Sequence, residues 1–477
     1  MLEYRDMRSI ALAWKYAIIS LLAFALACCE KADNQVPEPV PEIIEEQRLL
    51  MKANKFVYDY TTEAYLWRNS IPSNITYTSA SNPVDLFGMM RNKELDIWSY
   101  VTDNSQEAME SFQGVSTTFG YSLAFGRFTN VPDIYFAVVE YVYPNSPAQA
   151  AGMKRGDIIL TLDGANIKDS NYTQLYFGST ITLGLGTKND SGGIGLSGVQ
   201  VTITSVKMYE DPVVQYNIIE TGEKKIGYLF YAGFYSDSHS KLANVFSWFQ
   251  SEQITDLILD LRYNLGGDAN TPPYLASMIA PESVVKKKSV FLTQTWNDLY
   301  MAYFRNIGED MNTYFNPDIP VNLNLSKVYV ITTGSTASAS EATISGLSPY
   351  MDVVKIGQPT YGKYCGAALI TPVDSNGKDD REISNWLLSL VIYKFVNIEG
   401  FTEFTDGIAP DYIASDDGLL YGIPLGDPND PMIAKAVEVI TGNGTKAPAL
   451  KAPAGVEIVP YMVERPMRGG MNRLLEL

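Results

Sequence analysis

The sequence predicts a multidomain α/β chain, α+β in its overall make-up, and three observations carry that expectation. Residues 209–442 alternate strand-like apolar runs (IGYLFYAGF, LILDL, VYVITT, VVKIG, LLSLVIYKF) with helical segments, the pattern of an α/β core. Residues 114–208 are strand-rich and punctuated by glycine turns, whereas residues 41–113 carry apolar side chains at helical spacing. With 477 residues, 46% of them hydrophobic and 12% aromatic, the chain is long enough and apolar enough to fill several cores.

At the N-terminus, Arg5, Arg8 and Lys15 precede a short apolar run from Tyr16 to Ala27 that ends in ALACC. This predicts a signal peptide over residues 1–27, because the run is too short to span a bilayer comfortably. Small residues before a cysteine resemble a bacterial lipobox. The alanine immediately before it points to Cys28 as the lipidated residue, and Leu26, three before Cys29, points to Cys29 as the alternative. Either implies lipid anchoring in a bacterial cell envelope, on the periplasmic side or the cell surface; the other expectation is a secreted protein without lipid. Residues 28–40 are acidic and Pro-punctuated, as suits a tether.

Only Cys365 remains beyond that cysteine pair, so no disulfide framework is expected, and a lone cysteine is most simply a small buried apolar group. The net charge of -18 excludes nucleic acid as a partner and electrostatic docking on an anionic membrane, leaving the lipid anchor as the sole membrane contact. Oligomeric state is not legible.

Residues 41–113 predict a helical N-terminal domain, with Leu49, Leu50, Phe56, Val57, Tyr60, Tyr65, Leu66 and Trp67 as its apolar face. In the following segment, PNSPAQAAGMKRGDIILTLDG predicts a short helix over Ser146–Gly152, a tight turn at Gly156 and Asp157, and a strand over Ile158–Leu162. This stretch resembles a PDZ domain, placed over residues 114–208. PDZ domains bind peptide C-termini by adding a strand to an exposed sheet edge. The resemblance puts the carboxylate loop at Gly120, Tyr121, Ser122 and Leu123. Gly184–Gly198 is glycine-rich and predicts a loop, not a phosphate loop, since no Lys-Ser/Thr ending follows.

The chemistry turns on scarcity. The chain has one histidine, His239, in a polar stretch before a helix, where it reads as a surface residue. A serine hydroxyl is a weak nucleophile until a neighbouring base takes its proton, and the local candidate base is a lysine. Ser338 follows a β-branched strand (Val328–Thr333) at the start of a small-residue helix, where unpaired amides such as that of Ala339 could meet an oxyanion. Ser338 and Glu341 also fit a capping box, and a lone loop lysine such as Lys363 also fits a solvated surface charge.

Taken together, TASASE and IGQPTYGK resemble the signature of the C-terminal processing peptidases of the S41 type. The resemblance covers Gly114 to Gly442, including GIAPD at Gly407–Asp411 and DPMIAKAVEVITG from Asp430. It implies a ClpP/crotonase-like peptidase core over 209–442, Ser338 as nucleophile and Lys363 as general base. It also implies protein or peptide C-termini as substrates, with no cofactor and no metal. DLRYNLGG matches the family's glycine turn, which places an oxyanion amide on Gly266 or Gly267. Asp260 and Arg262 share one strand face and predict a structural ion pair. One departure stands at Ala367, where the family often has a glutamine that orients the lysine. That departure supports an alternative, a noncatalytic peptide- or ligand-binding lipoprotein retaining the fold. The C-terminal extension, 443–477, carries no reading.

Overall fold

The computed structural model describes residues 45–188, 193–442 and 456–458. The signal peptide, the Cys28 and Cys29 readings and the tether lie outside the described residues. Contacts divide the chain into two compact units.

The first unit comprises, among described residues, 45–105 together with 367–391. Its long helix, Glu45–Ala64, buries Ala53, Phe56, Val57 and Ala64 at helical spacing. A second helix, Pro83–Met90, starts at Asn82, whose side chain accepts the Asp85 amide at 2.9 Å, with Pro83 at its first position. The buried Tyr65 hydroxyl donates to Asp96 at 2.8 Å. The short strand Tyr100–Thr102 pairs antiparallel with Leu387–Ser389, so a late segment of the chain completes a unit that begins near its start.

The second unit holds two large sheets. In the first, the strands run in the order Val456–Ile458, Tyr121–Phe128, Val131–Val142, Ile158–Leu162, Thr180–Lys188 and Ile194–Thr204, all antiparallel. Period-two alternation puts Tyr121, Leu123 and Phe125 into one core with Ala137, Val139, Ile159 and Leu183. The turn at Gly156 and the strand Ile158–Leu162 lie where the sequence predicts them. Gly184–Gly198 differs: among described residues it is not a loop but the facing ends of two long strands, anchored by Leu183, which is buried, and by Leu185 and Val201, which pack partly buried against the same core.

In the second sheet, the order is Val213–Thr221, Lys224–Tyr231, Asp256–Asp260, Lys327–Thr332, Asp352–Gly357 and Tyr412–Ile413. The first pair is antiparallel and the rest are parallel. Parallel strands need crossovers, supplied here by helices His239–Ser251, Thr271–Ile279 and Ala339–Leu347. Both faces of the central strands are therefore covered, which is why these strands read as continuous apolar runs. On one face, Met432, Ile433, Ala436, Val437 and Ile440 of helix Pro431–Thr441 pack against Tyr228, Ile258, Ile331 and Ile356. Helix His239–Ser251 buries Leu242, Val245, Phe246 and Phe249, the residues its period predicts.

Candidate active site

Parallel neighbours bring their C-terminal ends to one edge, so the loops leaving Asp256–Asp260 and Lys327–Thr332 emerge side by side. They are then laced together. The Ala337 amide and the Ser340 hydroxyl both donate to the Asn264 carbonyl at 3.0 Å, Thr336 Oγ1 donates to the Leu261 carbonyl at 2.8 Å, and Thr333 Oγ1 donates to the Arg262 carbonyl. Thus the DLRYNLGG and TASASE segments, far apart in sequence, form one rigid surface.

Ser338 sits at the top of helix Ala339–Leu347 with φ 56° and ψ −110°. A non-glycine residue with positive φ is uncommon, and the surrounding hydrogen bonds hold it there. Its neighbour across the gap is Gly266, whose φ is +101°. A Cβ on Gly266 would lie 2.7 Å from Ser338 Cβ and 2.9 Å from the Ala339 nitrogen, so only glycine allows this approach.

Two backbone amides near Ser338 are available. Among described residues, the N–H groups of Ala339 and Gly267 make no hydrogen bond. Gly266 is different, because its N–H donates to Asn264 Oδ1 at 2.9 Å. Of the two glycines that the sequence offered as oxyanion donors, Gly266 is thus committed to shaping the turn, while Gly267 keeps its amide. Asn264 itself is anchored through Nδ2 to the Tyr231 carbonyl at 2.8 Å.

Glu341 organises the other side. The sequence gives it only a capping role; the fold buries it completely and gives it four donors. Oε2 accepts the Ser338 amide at 2.7 Å and the Lys363 amide at 2.9 Å; Oε1 accepts the Gly362 amide at 2.7 Å and the Thr360 hydroxyl at 2.6 Å. One oxygen therefore carries the backbone of both residues that the motifs single out. Burial pushes the Glu341 carboxyl up, against the pull of those hydrogen bonds. The Thr360–Lys363 loop is held from outside as well: the Ile408 amide donates to Thr360 Oγ1 at 2.7 Å, and Tyr361 donates to the Thr336 carbonyl at 2.9 Å. Ser338 and Lys363 are each half-buried. Ala367 offers no polar side chain, so a glutamine-like hold on the lysine is absent from that position.

Asp260 and Arg262 form the expected ion pair at 2.8 Å, with both side chains fully buried. Sequence reasoning missed the rest of that cluster. Arg262 also binds Asp430 and Asp416, each at 2.9 Å. Arg155, from the turn before Ile158–Leu162, donates to Asp416 at 2.6 Å, to the Tyr263 hydroxyl at 2.6 Å and to the Ile423 carbonyl at 2.9 Å. Tyr263 also donates to Asp416. The GMKRGD turn is thereby joined to the DLRYN segment that ends in the glycine turn.

His239 is not a plain surface residue. It is half-buried, stacks on Tyr274 at 4.0 Å and shares a hydrogen bond with Thr271 at 3.0 Å; burial pushes its ring below the ordinary value. Cys365 is buried, in keeping with a small apolar group.

At the other sheet, Gly120 has φ +81°, and a Cβ there would lie 2.1 Å from Ser146 Cβ. Tyr121 and Leu123 point into the core, with the Tyr121 hydroxyl donating to the Leu175 carbonyl at 2.8 Å, and Ser122 donates to Glu140. The side chains of this quartet are thus committed inward, and what it can offer a ligand is backbone. Among described residues no group of His, Cys, Asp and Glu could hold a metal ion, and no helix is long and apolar enough to cross a membrane.

Comparison with known proteins agrees with this architecture. The family models described as peptidase family S41, peptidase S41 N-terminal domain and PDZ domain match residues 225–414, 52–100 and 138–177. A carboxyl-terminal-processing protease of Picosynechococcus sp. is 22% identical over 324 residues, covering 65% of this chain and 68% of the relative. The chloroplastic carboxyl-terminal-processing peptidase 2 of Arabidopsis thaliana is 24% identical over 259 residues, covering 53% of this chain; that alignment spans about half the relative's own length, 46%. A Bacteroides fragilis crystal structure, described as a candidate S41 protease, superposes with a TM-score of 0.67 at 26% identity, covering 86% of this chain and 99% of that one.

Proposed function

We propose that this chain, which belongs to peptidase family S41, is a serine endopeptidase that captures a free C-terminus at its PDZ domain and cleaves through Ser338, with Lys363 as the base. The observation that carries the reading is the shared oxygen of Glu341, which fixes the backbones of Ser338 and Lys363 relative to one another.

The chemistry follows from the groups present. Lys363 takes the Ser338 hydroxyl proton while Oγ attacks the scissile carbonyl carbon. The amides of Ala339 and Gly267, preorganised by the helix start and the glycine turn, receive the negative charge that develops on the substrate's carbonyl oxygen. Lys363 then returns the proton to the leaving amine, and an acyl ester on Ser338 remains. Water, deprotonated by Lys363, hydrolyses it. The inward commitment of Tyr121 and Leu123 supports a capture mode that uses backbone groups next to Gly120. Export and lipid anchoring at Cys28 belong to the same proposal, supported by the basic, apolar and small-residue order of residues 5–29.

The test is turnover of an unstructured peptide with a free C-terminal carboxylate. Ser338→Ala should abolish cleavage while retaining peptide binding, and Lys363→Met should abolish covalent labelling of Ser338 by a serine-reactive probe. Cleavage by Ser338→Ala at the wild-type rate would remove the nucleophile assignment.

A further inference from the structure

The turn that carries the Gly267 amide is held against a second loop by a parallel bridge. The Phe234 N–H donates to the Gly266 carbonyl at 2.9 Å, and the Asp268 N–H donates to the Phe234 carbonyl at 2.8 Å. A Cβ on Gly267 would lie 2.1 Å from the Phe234 oxygen, so the two segments are in backbone contact. Side chains close the same bridge from behind. The chain leaving Phe234 leads into the helix His239–Ser251, and His239 Nε2 lies 3.0 Å from Thr271 Oγ1. Thr271, fully buried at the start of the helix Thr271–Ile279, lies 3.1 Å through the same oxygen from Asp268 Oδ2. Asp268 directly follows Gly267. His239, Thr271 and Asp268 therefore run from the Phe234 side of the bridge back to the residue beside the amide, and Tyr274, stacked 4.0 Å from the imidazole with the planes 11° apart, fixes the ring's orientation.

The partners assign the protons. A carboxylate only accepts and a hydroxyl has one proton, so Thr271 donates to Asp268 and its oxygen accepts from the ring. Nε2 then carries the ring proton. Burial holds the ring below its ordinary value against the pull of Asp268 and Asp237, in keeping with a neutral Nε2–H form near neutral pH. Resting on the reading above in which Gly267 is an oxyanion donor, we infer that His239 is a positioning residue for the reaction: through Thr271 it locks Asp268, and with it the direction of the Gly267 N–H. Its action is indirect. Without the Nε2 donor, the two sides of the bridge are joined by backbone hydrogen bonds alone, and the amide departs from the direction that a developing oxyanion needs.

The test measures turnover of the free-carboxylate peptide by variants of the full chain, each with its melting temperature. His239→Phe keeps a ring to stack on Tyr274 and removes the donor. Its kcat should fall about tenfold, a partial displacement, with KM unchanged, as befits an interaction realised only in the transition state. His239→Gln, whose amide nitrogen reaches the place of Nε2, should recover most of that loss although it gives up the stack. Thr271→Val should lower kcat as far as His239→Phe does, and the double variant should go no further. The chain has one histidine, so the ring nitrogens give a single pair of NMR signals, which should report the Nε2–H tautomer. Wild-type turnover by His239→Phe, a loss carried by KM, a glutamine variant no better than phenylalanine, or an Nδ1–H ring overturns the inference. Should His239→Phe fail to fold, Thr271→Val and the tautomer decide it: wild-type kcat in the first or Nδ1–H in the second overturns it. If Ser338→Ala cleaves at the wild-type rate, the reading of the site falls and the inference with it; if Ser338→Ala is inactive, those outcomes judge His239 alone.

Discussion

Gly266 packs so closely on Ser338 that a Cβ added to the glycine would lie 2.7 Å from the serine's own Cβ. The same Cβ would meet the Ala337 carbonyl and the Ala339 nitrogen at 2.9 Å, and the glycine's φ of +101° is strained for any L side chain. Gly266→Ala should therefore displace Ser338 and the Ala339 amide together. Displacement on the order of an ångström costs roughly 10²-fold in rate. We expect kcat to fall by at least that factor while a free-carboxylate peptide still binds at the PDZ domain. Steady-state kinetics beside anisotropy would check it, and a wild-type kcat would show that the turn yields without consequence.

Glu341→Gln makes a sharper demand on the same site. The carboxylate accepts four donors with two oxygens, whereas an amide has one oxygen and an NH2 group that would confront either Ser338 and Lys363 or Gly362 and Thr360. At least one buried amide loses its acceptor, and two do if the NH2 group faces Ser338 and Lys363, at a cost of roughly 1–3 kcal/mol each. The variant should melt at lower temperature and lose most of its turnover, with Glu341→Ala no better. Turnover like that of wild type would mean that the shared oxygen does not position the pair.

These two predictions mark where the sequence was informative. That Ser338, Lys363 and the glycine turn belong to neighbouring loops was legible because each lies in a short linear motif, and the Asp260–Arg262 ion pair because residues two apart share a strand face. The commitment of the Gly266 amide was not legible, since it depends on how the Asn264 side chain folds back. Nor was the wider role of Glu341: the serine–glutamate spacing accounts for a cap, while its contacts to Thr360, Gly362 and Lys363 appear only when the second loop arrives. Arg155 and Asp416 stand 261 positions apart, and no local period relates them. The pairing of Val456–Ile458 is non-local in the same way.

The buried acids around Arg262 titrate in opposite senses, which makes a pH test specific. Burial alone would raise Asp430, but the guanidinium of Arg262 at 2.9 Å, with Arg155 beyond it, holds it below the usual carboxylate range. A depressed folded pKa gives stability that is whole above the ordinary aspartate value of about 3.9 and is lost as pH falls through the folded value. Burial pushes Asp260 up, so its contribution is present below the ordinary value and is lost as pH rises through the folded one. Asp430→Asn should therefore flatten the acid limb of stability below about pH 4, while Asp260→Asn should not. Urea unfolding midpoints across that range decide it; parallel acid limbs for Asp430→Asn and wild type would contradict the assignment.

Arg155 links the turn before Ile158–Leu162 to the DLRYNLGG segment, whose Gly266 packs on Ser338. Its guanidinium is almost wholly buried and spends its donors on Asp416, Tyr263, the Ile423 carbonyl and the Glu140 carbonyl. Removing one partner of a buried ion pair leaves the other charge uncompensated, typically at a cost of about 3–5 kcal/mol, whereas removing both is far milder. Because Arg262 still faces Asp416 at 2.9 Å, Arg155→Met should destabilise by less than that, and Arg155→Met with Asp416→Asn should recover part of the loss. Arg262 remains to balance Asp430 in the double variant, which is why recovery is expected rather than further loss. Lysine is no substitute, since one ammonium cannot reach acceptors arranged for a planar fork. Denaturation midpoints of the three variants complete the cycle. Additive losses would show that Arg155 and Asp416 act independently, and the PDZ turn would then be held to the core by packing of Tyr141 and Tyr143 on Phe230 and Tyr263 instead of by charge.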